Sequence, residues 1–260
     1  MTAIPRHRPA TPRISGPVGA ALAFVAFVLA WKLLVIVGGY RPFILPAPEV
    51  VGARFVEAWL DGTIGPHALR TFGEIVAGFG VGAWSAVVVG YVLARQPIVE
   101  RLLSPYLVAA QATPILAIAP LLALWFGPGI GAKVVICALI VFFPVAIATM
   151  VGIRAVDARL LALARSLRAT RAQIVTTLEI PAALPSIFGG LRVGVTLAVV
   201  GAIVGEWAGA DRGLGLLVNI ARGSLFDTPL LFATLLTIAL LGIALYGLVV
   251  LAERLVVRPR

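Results

Sequence analysis

Six stretches of the chain are almost wholly apolar: Val18 to Val37, Ile75 to Leu93, Tyr106 to Trp125, Val134 to Val151, Ile187 to Val204 and Leu230 to Leu251. A helix needs about 20 mainly apolar residues to cross a bilayer, so the pattern predicts six transmembrane helices. The segment 38–70 breaks the pattern with Pro42, Pro46, Pro48 and Pro66 and with charges of both signs. It reads as a loop carrying a short surface helix from Pro48 to Leu60. Gly127-Pro128-Gly129 predicts a tight hairpin between the third and fourth spans. The expected organisation is a tail at 1–17, a first span at 18–37, the loop at 38–70, a transmembrane core at 71–252 and a second tail at 253–260. The core includes a polar loop at 154–185.

The first stretch follows Arg6, Arg8 and Arg13, as a secretory signal would. It is longer than a signal core of roughly 7–15 residues, and Gly38-Gly39-Tyr40-Arg41 has no small-x-small cleavage pattern, which predicts a retained helix. Lys32 near its outer end is expected to snorkel to the interface. With the N-terminus inside, thirteen bases fall in inner segments and six in outer ones, so both termini are expected in the cytoplasm.

Composition supports a membrane protein: 61% of the 260 residues are hydrophobic and 12% charged, against about 25% charged in a soluble domain. Transport, signalling and intramembrane chemistry remain as function classes. The net charge of +10 sits in loops beside lipid and does not call for nucleic acid. Cys137, the single cysteine, lies in an apolar run, which excludes an intrachain disulfide and suits a buried hydrophobe.

The loop after the fourth span is patterned. Leu160, Leu163, Ala164 and Leu167 fall at helical spacing and make one apolar stripe. Thr170 with Gln173 predicts a capping box opening a second helix, expected to end before Pro181 because a residue preceding proline disfavours helical backbone. Such a helix–turn–helix can dock into another protein or lie on the bilayer, where Arg159, Arg165, Arg168 and Arg171 would meet anionic headgroups.

From Asp157 to Arg192 the sequence DARLLALARSLRATRAQIVTTLEIPAALPSIFGGLR resembles the signature loop of bacterial ABC importer permeases. In that register Ala162-Leu163-Ala164 stands for the family's Glu-Ala-Ala, Arg168 for its glycine, and Leu178, Ile180 and Pro181 for its hydrophobic and proline positions. GEWAGADRGLG from Gly205, FDTPLLFATLL from Phe226, QATPILAIAPLLALWFG from Gln111 and LPAPEVV from Leu45 are similar to the subfamily importing nitrate, sulfonates, taurine and vitamin precursors. The resemblance implies an all-α, six-span type I importer fold in the bacterial inner membrane, working as a homodimer with two ATPases and an extracytoplasmic solute-binding protein. It also implies that Leu160, Ala162, Leu163, Ala164, Leu167, Arg168 and Pro181 form the ATPase-coupling loop. The solute expected is a vitamin or precursor such as riboflavin or a thiamine pyrimidine, or a sulfonate, taurine or nitrate. Loss of the family's Glu removes an acidic contact. Arg168 in a left-handed turn would cost about 1 kcal/mol relative to glycine.

Lys32 and Lys133 both lack the glycine spacing of a phosphate-cradling loop, so ATP and magnesium belong to the partner. His7 and His67 are far apart, and no catalytic constellation or metal site is expected. Pro114, Pro120 and Pro144 inside spans, with Gln111 and Thr113 nearby, suggest a translocation path between the third, fourth and fifth helices. Glu206 beside Trp207 can line that path or sit as an interfacial acid; Arg192 is expected to snorkel. An ion-coupled secondary transporter is the alternative, which would require repeated broken helices and intramembrane carboxylates.

Overall fold

The computed structural model describes residues 16–127 and 129–257. Arg6, Arg8, Arg13, His7 and Pro128 lie outside the described residues. The elements are α1 (Gly16–Gly38), α2 (Pro48–Leu60), α3 (Gly65–Arg95), α4 (Pro97–Ala112), α5 (Ile115–Phe126), α6 (Ile130–Arg154), α7 (Ala158–Ser166), α8 (Arg171–Ile174), a π turn (Val175–Glu179), α9 (Ile180–Ala208), α10 (Leu214–Gly223) and α11 (Thr228–Val256). Among the described residues five helices are long and apolar enough to cross a membrane, and a bent pair brings the number to six.

The centre is a three-helix stack in which α6 packs between α3 and α9, with Ile75, Ala86, Cys137, Val141, Val145, Val195 and Ala198 buried together. Lipid tails are as apolar as leucine, so close backbone approach has to hold such helices together. Glycine supplies it. A Cβ on Gly78 would collide with the Cys137 Cβ, and one on Gly82 would lie 2.6 Å from the Ala138 carbonyl oxygen. On the other side of α6, a Cβ on Gly190 would lie 2.6 Å from that of Ala148. Cys137 is thus the small buried hydrophobe expected of it, and its Sγ reaches the Ala198 carbonyl at 3.4 Å.

Helix α1 stands outside this stack, held by stacking of Trp31 on Phe232 with centroids 5.7 Å apart. Lys32 pairs with Glu49 on α2 at 3.3 Å, both side chains about half exposed. The helix Pro48–Leu60 lies where expected, tethered to α11 by Arg54 and Asp227 at 3.0 Å. The loop ends sooner than residue 70, because α3 already starts at Gly65 with Pro66 in its first turn, where proline's missing N–H costs nothing.

The third expected span is corrected. Tyr106 to Trp125 is not one helix but the end of α4 and most of α5, bent by 100°. Proline is the cause. Pro114 cannot donate to the ladder and holds Thr113 in extended backbone (φ −77°, ψ 122°). Pro120 and Pro144, by contrast, remain within α5 and α6.

Candidate translocation and coupling sites

The break between α4 and α5 leaves a groove of about 610 Å³ against α6 and α9. Gln111 and Thr113 line it, with Ile115, Phe143, Pro144 and Leu197. Thr113 turns its hydroxyl to the Ala109 carbonyl at 2.9 Å, which leaves Gln111 as the main polar group facing the space. The groove lies between the helices where a path was expected. Glu206 is not part of it.

Glu206 lies near the C-terminal end of α9 and is only 1% exposed, packed against other helices. One carboxylate oxygen accepts the Thr71 hydroxyl of α3 at 2.6 Å. The other accepts the Gly215 N–H. Thr71 in turn accepts the Leu214 N–H at 2.8 Å, and His67 Nδ1 accepts the Gly213 N–H at 3.0 Å. Three successive amides at the start of α10, which the helix itself leaves unbonded, are therefore satisfied by side chains of α3 and α9. The carboxylate needs bare backbone: a Cβ on Gly213, whose φ is +141°, would run into it.

Two further charged residues share this region and were not anticipated. Glu74 is fully buried and takes Arg70 Nε at 3.0 Å. Lys133, counted from sequence as an outer-loop base, is buried in the first turn of α6 with its Nζ on the Gly129 carbonyl at 3.0 Å. The sequence signal was the Arg70–Glu74 spacing of four, which pairs side chains on one helix face. At the rim, Asp211 is held below the usual carboxylate range by its backbone hydrogen bonding and by Arg70 and Lys133.

On the opposite face lies the 154–185 loop. Asp157 caps α7, its side chain accepting the Arg159 N–H at 2.8 Å. Along α7 no residue is buried: Leu160 and Leu163 are about half exposed and Leu167, just beyond, is 74% exposed. Ala162 is exposed too, while Ala164 is half-buried. The apolar stripe thus finds no cover within the described residues. Arg168 has φ 56°, the left-handed backbone the sequence made costly. Its N–H donates to the Arg165 carbonyl and that of Ala169 to the Ala164 carbonyl, both at 3.0 Å. The turn so closed is of the left-handed kind that helices most often end on with glycine.

The capping box is present, with the Thr170 N–H donating to Gln173 at 2.7 Å and the Gln173 N–H to Thr170 at 3.3 Å. The expected stop before Pro181 is not. The chain runs as one helical span from Arg171 to Ala208. A π turn makes this possible, since the Ile180 N–H reaches five residues back to the Val175 carbonyl. The carbonyls of Ala172 and Gln173 are taken up by the hydroxyls of Thr176 and Thr177 at 2.8 and 2.6 Å. Arg192 on this span pairs with Glu253 of α11 at 3.1 Å.

Long apolar helices, a proline-broken groove and an uncovered apolar stripe on α7 describe a helical membrane protein with two candidate sites. The family model described as binding-protein-dependent transport system inner membrane component matches residues 80–258. The riboflavin transport system permease protein of Chloroflexus aurantiacus is 44% identical over 92% of this chain and 89% of its own length. The formylaminopyrimidine transport permease protein of Halalkalibacterium halodurans is 33% identical over 85% and 88%, and the taurine transport system permease protein of Escherichia coli 30% over 82% and 80%. A solved inward-facing form of the MetNI methionine ABC transporter superposes with a TM-score of 0.65 at 18% identity, covering 74% of this chain and 95% of that one.

The chain belongs to the binding-protein-dependent ABC transporter permease family. It is a multi-pass inner-membrane component, ATP is hydrolysed by a partner ATPase, and a solute-binding protein delivers the cargo. Membership replaces the ion-coupled alternative.

Proposed function

We propose that this permease imports a vitamin or vitamin precursor built on a flat heteroaromatic ring, riboflavin or a thiamine pyrimidine, rather than a sulfonate, taurine or nitrate. The observation that carries this reading is the 44% identity to the riboflavin permease over nearly the whole chain, against 30% to the taurine permease. The groove supports it. A planar ring can stack on Phe143 and take a hydrogen bond from Gln111, whereas a small anion would meet no cation among the described lining residues.

Two copies of the chain face each other in this proposal, each groove closing the other into a path, with two ATPases on the α7 face. The Leu160, Leu163, Ala164 and Leu167 stripe enters a groove on the ATPase, with Ala162 at its edge and Arg168 fixing the turn. Closure of the ATPase pair displaces the segment from Asp157 to Pro181. The unbroken run from Arg171 to Ala208 carries that displacement past Leu197 at the groove to Glu206 at the far end.

Reconstitution with the ATPase and binding protein in vesicles tests the substrate reading. ATP-dependent uptake of riboflavin or the pyrimidine, with taurine and nitrate excluded, is the expected result. Uptake of taurine or nitrate with the heterocycles excluded would overturn it.

A further inference from the structure

On the face that carries α7, a cavity of about 540 Å³ opens between the end of α3 and the helix pair, beside the apolar stripe that meets the ATPase in the proposed cycle. Arg95, Arg165 and Arg171 line it, against a single carboxylate, Glu179. Glu179 is committed already. It is buried, and it faces Arg95 with Nε at 3.2 Å from one oxygen and a second contact to the other. That leaves the guanidinium groups of Arg165 and Arg171, neither of which has an ion-pair partner among the described residues.

Their convergence is built by the local fold. Arg165 lies in the last turn of α7 and Arg171 opens α8, and the left-handed turn at Arg168 folds one back toward the other so that both face the same space. The π turn places Val175 and Glu179 on the same wall, and Tyr91 and Gln96 come from α3 and its end.

We propose that this cavity binds an organic phosphate, with the phosphoryl group held by Arg165 and Arg171. Two uncompensated positive charges match a phosphate dianion. The planar fork of each arginine fits its oxygens two at a time, which an ammonium group cannot do. A bare phosphate would leave most of the volume empty. Small-molecule sites run from about 300 to 1,000 Å³, and Ile174, Val175 and the Tyr91 ring give an organic body an apolar wall. A bound ligand would join both arms of the coupling helix pair to α3, and so load the segment that meets the ATPase in the proposed cycle.

The phosphate can come from a soluble monoester or from a lipid headgroup, and the experiment separates the two. The assembled permease–ATPase complex is placed in phosphatidylcholine nanodiscs, and amide exchange across 165–179 is followed with phenyl phosphate as probe. Saturable protection there is expected, with binding roughly tenfold or more weaker for Arg165→Gln and for Arg171→Gln. Phenylsulfonate, a monoanion of similar shape, should bind less tightly. Glu179→Gln should tighten binding by freeing Arg95, a gain that misfolding does not produce, while Arg159→Gln, outside the cavity, should change nothing.

In a second arm, phosphatidic acid in the disc replaces the soluble probe. Protection by it in place of phenyl phosphate assigns the site to a headgroup, and protection by phenyl phosphate alone assigns it to a soluble ester; either supports the proposal. No protection from either, protection unchanged by both arginine substitutions, or a segment already fully protected and crosslinked to the ATPase through Arg165→Cys would overturn it.

Discussion

Glu206 on α9 accepts the hydroxyl of Thr71 on α3 at 2.6 Å, and through the Gly215 amide the same carboxylate fixes the start of α10. Three helices at one end of the bundle are thereby joined through one buried acid. Glutamine in its place keeps one acceptor oxygen and turns an NH2 donor toward Thr71, whose hydroxyl is then left with the His67 carbonyl as its acceptor. Glu206→Gln should cost about 1–3 kcal/mol in stability and reduce coupled uptake more than membrane abundance. Uptake and abundance measured together check this; unchanged uptake at normal abundance would return Glu206 to a structural role only. Gly213→Ala should lower the melting temperature further than Glu206→Gln does, because its Cβ meets the Glu206 carboxylate and its φ of +141° disfavours any side chain. A thermal scan of the two variants checks the order.

The glycine seam makes a sharper packing prediction. Gly78→Ala forces a Cβ into that of Cys137, and overpacking of this kind costs about 1–3 kcal/mol. Cys137→Gly should recover part of that loss in the double variant, as expected of residues in direct contact. Additive losses would mean that α3 and α6 do not meet at this point.

Arg168→Gly should leave assembly intact and stabilise the chain by about 1 kcal/mol, because the left-handed backbone is already formed and glycine adopts it freely. Arg168→Val should be markedly destabilising. A severe loss of assembly on Arg168→Gly would instead show that the arginine side chain makes a required contact.

Much of this architecture is legible in the hydropathy alone, because lipid demands long apolar helices with satisfied backbones. The surface helix Pro48–Leu60 and the Thr170 capping box follow from local chemistry that tertiary contacts leave unchanged. Proline is less legible. Pro114 breaks a span while Pro144 and Pro185 sit inside helices, and Pro181 is absorbed by a π turn beside carbonyls that two threonines satisfy. The outcome depends on the packing around each proline and not on proline alone. Lys133 and Glu74 were hidden for a similar reason: a charge at the edge of an apolar run reads as a loop residue until the packing of other helices buries it.

At the groove, Gln111→Leu should raise the KM for the transported heterocycle while leaving basal ATP hydrolysis of the reconstituted complex unchanged, since Gln111 faces the cavity and not the α7 side. Equal effects on both would place its role outside solute contact.

In the proposed cycle this chain converts ATPase movement into solute passage through α7 and the span continuous with α8. Ala162 and Ser166, both exposed on α7, are the positions from which that conversion is most directly measured, each replaced by cysteine and crosslinked to the ATPase in the assembled complex with and without nucleotide. Crosslinks whose yield changes with nucleotide are the expected result. No crosslink at either position, in a complex shown by other means to be intact, would contradict the coupling mechanism and leave α7 as a helix resting on the membrane.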